Sequence, residues 1–222
     1  MAKTYLEQSE VEKLEQQASC VRDMLLIRLL SRLGCRVSEA LAIKVEDIDF
    51  NRGLVTIQHL KERLKLSCPE CSSRLGRGHR FCPKCGREVD KPMAKMQEVH
   101  RRRTLPLDDQ TLKMLKDFIK RDRTKGLIFG IDRHRAWQII RICARKAGLP
   151  HLVNPETGSV KGVSPHRLRD AFAVNAVRVD DSGDGLRLLQ EHLGHQSITT
   201  TMRYRKVSGE EHKEWYGKLF GG

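Results

Sequence analysis

At 222 residues the chain is long enough for one good core with a small satellite and too short for two full domains. Its 42 lysines and arginines against 28 acidic residues leave a formal charge of +14, which favours a polyanionic partner, nucleic acid ahead of an anionic membrane surface, over a neutral substrate. No stretch approaches the roughly 18 apolar residues of a membrane span, and the opening MAKTYLEQSE lacks the apolar core of a signal peptide, so the reading is of a soluble chain, cytoplasmic or nucleoid-associated, with no membrane partner.

Ser9 followed by Glu12 has the capping-box pattern that opens a helix. VRDMLLIRLLSRLG then carries apolar residues at helical spacing as far as Gly34, a plausible stop. A shorter helix is predicted in RVSEALAI; Arg36 stands at its start, where unpaired amide N–H groups also favour an anion. GLVTIQHL reads as a strand and RRRTLPL as its partner, with Pro106 at an edge, and a cysteine-rich stretch lies between them. Four helical patterns follow: DDQTLKMLKDFIKRD, DRHRAWQIIRICARKAG, SPHRLRDAFAVNAVRV and GLRLLQEHLGH. The tail SGEEHKEWYGKLFGG reads as a short helix with Trp215, Leu219 and Phe220 as apolar contacts. The predicted fold class is therefore mainly α with a small antiparallel β-sheet.

Seven cysteines are present, an odd number that argues against a disulfide framework. Cys20, Cys35 and Cys143 sit alone in apolar patterns and read as buried thiols. Cys68, Cys71, Cys82 and Cys85 form two C-P-x-C turns in CPECSSRLGRGHRFCPKCG, each pointing two thiolates at one site, so that the two turns complete a tetrahedron. Structural zinc is the natural occupant; rubredoxin-like iron fits the same ligands, and a labile redox pair is the plainer alternative. Four thiolates leave no open position for water, which argues against catalytic zinc. His79, between the pairs, could substitute for a ligand but belongs more naturally to a basic surface. The insert, a zinc ribbon or knuckle at residues 67–98, is too small to fold without its metal and takes the place of a hairpin turn, with 1–66 and 99–222 forming the main domain.

In SPHRLRDAF, Pro165 suits a first helical turn, and His166 and Arg169 at i and i+3 share a helix face. Such a pair is costly to hold in a core without an anion, so a facing phosphate explains it economically; a solvated basic face is the alternative.

Three separated motifs, GCRVSEALAIKVEDIDF, HRLRDAFA and LGHQSITTTMRY, resemble in order and spacing those of the tyrosine recombinases, the phage integrase family. The resemblance covers about residue 20 to residue 205, with the cysteine module as an insertion, and implies a mostly helical catalytic domain with a small sheet. Carried residue by residue, it makes Arg36 the first phosphate-binding arginine, His166 and Arg169 the H-x-x-R pair, His195 the histidine of L-G-H, and Tyr204 the nucleophile. The phenol of Tyr204 would attack a phosphodiester of double-stranded DNA and form a 3′-phosphotyrosyl link, storing the bond energy so that no ATP or catalytic metal is needed. The two arginines would neutralise the transition state, His166 would serve as general base or proton relay, and His195 would donate to a phosphate oxygen. Tyr5 and Tyr216 lack the motif and read as structural.

The resemblance also implies a hairpin lysine that protonates the leaving 5′-oxygen. Lys61 is the choice, since it follows the strand at about the usual distance, while Lys65 stands nearer the metal module and Lys95 on the returning arm. Two departures stand out. The residue after the second arginine is often histidine in the family and is Asp170 here. A helical core-binding domain usually precedes the catalytic one, yet this chain starts almost at the latter, as an excised fragment or a minimal enzyme would. The module, with Arg74, Arg77, His79, Arg80 and Lys84, is suited to replacing part of the missing clamp on DNA or to binding protein. The resemblance implies self-association on DNA through the tail docked on a neighbouring protomer; a tail helix folded back on its own domain is the alternative. The function expected is site-specific recombination or integration; the alternatives are a type IB topoisomerase-like enzyme and a non-catalytic DNA-binding protein on the same scaffold.

Overall fold

The computed structural model describes residues 3–76, 78–154, 157–205, 217 and 219, with the side chains of 59–65 and 94–101 outside the description. The chain divides into two compact units, Met1–Ile57 with Arg103–Gly222, and Gln58–Arg102. It is mainly helical with small antiparallel sheets. Among the described residues no helix is long and apolar enough to cross a membrane.

In the first unit, α1 (Gln8–Gln16) begins one residue ahead of Ser9. The amide of Glu7 donates to the Glu10 carboxylate at 2.9 Å, so the capping pair is Glu7 with Glu10 and not Ser9 with Glu12, and Ser9 lies in the first turn. Helix α2 (Val21–Arg32) buries Leu25, Leu26, Ile27, Leu29 and Leu30, which covers most of its circumference, as expected of a central helix. It packs on α1, on α4 (Asp109–Asp122) and on α6 (Pro165–Val179). Buried Arg28 ties three of these together, donating to Glu15 at 2.6 Å and to Thr111 at 2.8 Å. The short α3 (Val37–Leu41) and α5 (Arg133–Lys146) complete this core. Cys35 and Cys143 are buried, as expected; Cys20 is exposed, because it caps α2 ahead of the apolar stripe rather than within it.

α2 stops where the sequence places Gly34, whose φ of +56° suits glycine. A Cβ there would lie 2.4 Å from Phe172 Cδ1, so Gly34→Ala adds both left-handed strain and overpacking. We expect it to cost about 1–3 kcal/mol. A denaturant midpoint equal to that of the parent chain would show that the turn relaxes freely.

The strands β1 (Ile48–Asp49) and β2 (Leu54–Ser67) pair antiparallel, Ile48 opposite Val55. β4 (Met93–Pro106) also pairs with β2, so both arms of the expected hairpin exist and run longer than their apolar patterns indicated, with Pro106 as the last residue of its strand. A separate two-stranded ribbon, β5 (Leu152–Val153) with β6 (Val160–Lys161), leads into α6. After α6 come α7 (Gly183–Leu193) and α8 (Ile198–Arg205). Leu186, Leu189 and Leu193 of α7 pack with Ala173 and Val177 of α6, and Tyr204 of α8 joins them. α8 has no clear sequence signal, because its ITTTMRY carries three threonines where a stripe of large apolar residues would be.

The second unit holds β3 (Arg74–Leu75), which pairs with the end of β2, Leu66 opposite Leu75. Its small core consists of Cys68, Leu75, Cys82 and Val89, flanked by Leu66 and Cys71. The tail read as a helix from Ser208 lies outside the described residues apart from Gly217 and Leu219, and Tyr216 is outside them too.

Candidate active site

Three helix ends meet in the first unit. The turn after α2 brings Arg36 to the start of α3; Pro165, the first residue of α6, sets His166 and Arg169 one turn apart; and α7 ends at Gly194, just before His195. Gly194 has φ +67°, and a Cβ on it would stand 3.1 Å from the Arg103 guanidinium. The glycine ahead of His195 thus serves both the left-handed stop and the close approach of that cation.

Arg169 is only 2 % exposed. Its charge is solvated by backbone: Nη1 donates to the Gly34 carbonyl at 2.6 Å and Nη2 to the Leu193 carbonyl at 2.8 Å. Nη2 also lies 3.0 Å from His195 Nε2, and since a guanidinium can only donate, Nε2 is the acceptor. The other ring nitrogen, Nδ1, then carries the proton and donates to Thr201 Oγ1 at 2.9 Å. Burial, followed by the charges of Arg169, Arg36, Arg103 and His166, brings the His195 pKa down to about 4, so the ring is neutral at neutral pH. Donation from Nε2 to a phosphate oxygen, the role expected of His195, therefore requires Arg169 to release that nitrogen and the ring to gain a proton or change tautomer.

Arg36 is positioned by a residue the sequence reading passed over. Glu39, 2 % exposed, accepts from the Arg36 amide at 3.0 Å and from its Nη1 at 2.9 Å, and from Arg103 Nη2 at 2.7 Å. Burial raises the Glu39 carboxyl pKa, but hydrogen bonds and charge from Arg103, with help from Arg36, outweigh it and bring it down to about 2. The i, i+3 spacing from Arg36 was a visible signal for Glu39; Arg103, 64 residues further on, gave none.

Tyr204 comes from α8, three residues after the fully buried Thr201 on the same helix. Its ring stacks on His195 with centroids 6.3 Å apart, and its hydroxyl donates to Asp170 Oδ1 at 3.1 Å. Burial and then the Asp170 carboxylate hold the phenol well above its ordinary pKa. His166 is the exposed member, its side chain 72 % accessible.

Arg36, His166, Arg169, Asp170, His195 and Tyr204 all line one cleft of about 760 Å³. Five of the six residues that the sequence singled out for catalysis thus converge. Lys61 lies on β2 in the second unit, and its side chain is outside the description. Tyr5, read as structural, reaches the same cleft and accepts a hydrogen bond from Arg178.

In the second unit, Cys68, Cys71, Cys82 and Cys85 come together with all four sulfurs within 4.8 Å of one another. Cys71 and Cys82 are 3.5 Å apart and Cys68 and Cys85 3.8 Å, close to the edge of about 3.8 Å that a tetrahedron of metal–sulfur bonds near 2.3 Å requires. The Lys84 amide donates to Cys82 Sγ at 3.4 Å, as a thiolate ligand would favour. These four can hold a metal ion; His79 is exposed and stands apart from them.

A family model described as "Phage integrase family" matches residues 4–72 and 88–211. Among curated proteins, tyrosine recombinase XerA of Pyrococcus furiosus is 27 % identical over 221 residues, covering 94 % of this chain and 59 % of its own length. Tyrosine recombinase XerD of Neisseria meningitidis is 30 % identical over 190 residues, 85 % of this chain and 51 % of its own length. The chain thus spans a little over half the length of these relatives. Among solved structures, a XerA recombinase shares the fold with a TM-score of 0.65 at 20 % identity, covering 99 % of this chain and 64 % of its own. A XerH site-specific recombinase in a post-cleavage complex with its difH substrate gives 0.61 at 20 % identity, with 98 % and 53 % covered.

Proposed function

This chain belongs to the phage integrase family, and on that premise we propose that it is a site-specific recombinase or integrase that cleaves and rejoins double-stranded DNA through a 3′-phosphotyrosyl intermediate. The observation that carries the reading is the cleft in which a half-buried phenol, Tyr204, meets two guanidinium groups, Arg36 and Arg169, and two imidazoles, His166 and His195. A binding protein would have no use for a phenol among phosphate ligands. In the proposed reaction the Tyr204 oxygen attacks phosphorus, the 5′-oxygen leaves, and the bond energy is kept in the phosphotyrosyl link for rejoining. Arg36 and Arg169 offset charge on the pentavalent transition state, in a site preorganised by Glu39 and by backbone carbonyls. Lys61 is assigned the proton for the leaving oxygen, and neither ATP nor a catalytic metal enters the scheme. Self-association on DNA belongs to the same proposal, supported by a similar fold, a lambda integrase described as a dimer bound to a core site, at a TM-score of 0.56.

The test is a duplex nicked close to the cleavage point, so that the short 5′-hydroxyl strand diffuses away once released. The expected product is a covalent protein–DNA species stable to denaturant, with DNA attached through its 3′-phosphate at Tyr204. A DNA-binding chain that yields no such species on any cognate duplex would be a binder on the same scaffold.

We further propose that the four cysteines hold a structural zinc within a module inserted at residues 67–98 of a catalytic domain formed by 1–66 and 99–222. The closeness of the four sulfurs supports this, as does the interruption of the family match between residues 72 and 88. Purified under reducing conditions, the chain should carry one zinc per protomer by elemental analysis, and Cys82→Ser with Cys85→Ser should lose it. The far-UV helical signal should survive, since the helical core lies in the other unit. A metal-free protein with an intact second unit would refute the zinc assignment.

A further inference from the structure

Where the family often has histidine after the second arginine, this chain has Asp170, and the carboxylate is not a bystander. Its side chain is 14 % exposed, and its two oxygens are held differently. Oδ2 accepts from Arg167 Nη1 at 3.3 Å, which fixes the group from one side. Oδ1 accepts the Tyr204 hydroxyl at 3.1 Å, and His166 Nε2 stands 3.6 Å from that same oxygen. A path from the phenol to His166 therefore passes through Asp170.

We propose that Asp170 is a catalytic residue, the base that takes the phenol proton as Tyr204 attacks phosphorus, with His166 as its outer partner. The inference rests on Tyr204 being the nucleophile. A half-buried phenol beside a carboxylate stays protonated at rest, so its proton must leave during the attack, when the oxygen becomes acidic through bonding to phosphorus. Asp170 Oδ1 already accepts that proton's hydrogen bond in the resting site. The Tyr204 oxygen–phosphorus bond forms, the phosphorus–O5′ bond breaks, the phenol proton passes to Oδ1, and the departing 5′-oxygen takes a proton from the acid assigned to Lys61 or from water. On rejoining, the 5′-hydroxyl attacks phosphorus and gives its proton back to the group that supplied it, the phosphotyrosyl bond breaks, and Asp170 returns its proton to Tyr204.

Asp170→Asn keeps the shape but cannot take a proton. With Arg167 demanding an acceptor, the amide oxygen turns to Arg167 and the NH₂ group to the phenol, which leaves the hydroxyl without a base. Single-turnover cleavage of the nicked duplex should fall by about 10²–10⁴-fold, the usual worth of a positioned base, with DNA affinity and melting temperature little changed. Asp170→Ala should be slowed similarly and be partly restored by added formate, a small carboxylate able to enter the gap. Should the Asn variant cleave as fast as the parent chain, or should formate leave a folded Ala variant unimproved, Asp170 is not the base. Failure of the parent chain itself to form the adduct would overturn the nucleophile and this inference together, whereas an adduct undiminished in the variants would overturn the inference alone.

Discussion

Tyr204→Phe should abolish the covalent protein–DNA adduct completely while leaving DNA binding intact. The substitution removes one oxygen, which is the atom that bonds to phosphorus in the proposed reaction, and leaves the ring in place against His195 and the α6–α7 cluster. Its structural cost is the hydrogen bond to Asp170, about 0.5–1.5 kcal/mol, and Asp170 keeps Arg167 as a partner. Denaturing electrophoresis of the nicked-duplex reaction, run beside a binding titration, separates the two effects. An adduct that persists in the variant would place the nucleophile on another residue.

The two arginines should both lower cleavage by about 10²-fold or more when truncated, as loss of a transition-state donor does, but they should differ in what else they cost. Arg36, with a side chain 38 % exposed, can be replaced by alanine with little effect on folding, because Glu39 retains Arg103. Arg169→Ala strips partners from two buried carbonyls, Gly34 and Leu193, each worth about 1–3 kcal/mol when left unpaired, so this variant should lose both rate and melting temperature. Arg169→Lys restores the charge but not the fork that reaches both carbonyls, and should remain slow. Parent-like cleavage by Arg36→Ala would reduce that residue to a surface charge; equal melting temperatures for Arg169→Ala and the parent would mean that the carbonyls find other donors.

Much of the scaffold was legible because its helices bury one face: the periodic runs of α2 and α4 to α7 appear where the spacing puts them, and Gly34 ends α2 as read. The start of α1 was misplaced, since a glutamate at position 7 forms the reciprocal cap that serine at position 9 suggested. α8 was opaque for a different reason: its place is set by Thr201 bonding to His195 and Tyr204 packing on α6 and α7, contacts with no periodic signature. At the site, the residues that meet a phosphate in the resemblance were readable from motifs, and Glu39 left a local i, i+3 signal, while Arg103, which holds Glu39 from 64 residues away, left none. Asp170 was noticed as a departure, yet only its distance to the phenol shows which group it faces.

The anchoring of Arg169 to the Gly34 carbonyl, 135 residues away in sequence, bears on when the proposed chemistry becomes possible. Contacts of such long separation close late in folding, after local helices have formed. A nascent or partly folded chain can display basic charge and adhere to a polyanion, but its buried guanidinium is neither caged nor aimed until the ends of α2 and α7 have docked. In the proposed reaction strand cutting would thus wait on completed folding, and a destabilised variant should fail by becoming inert rather than by nicking at random.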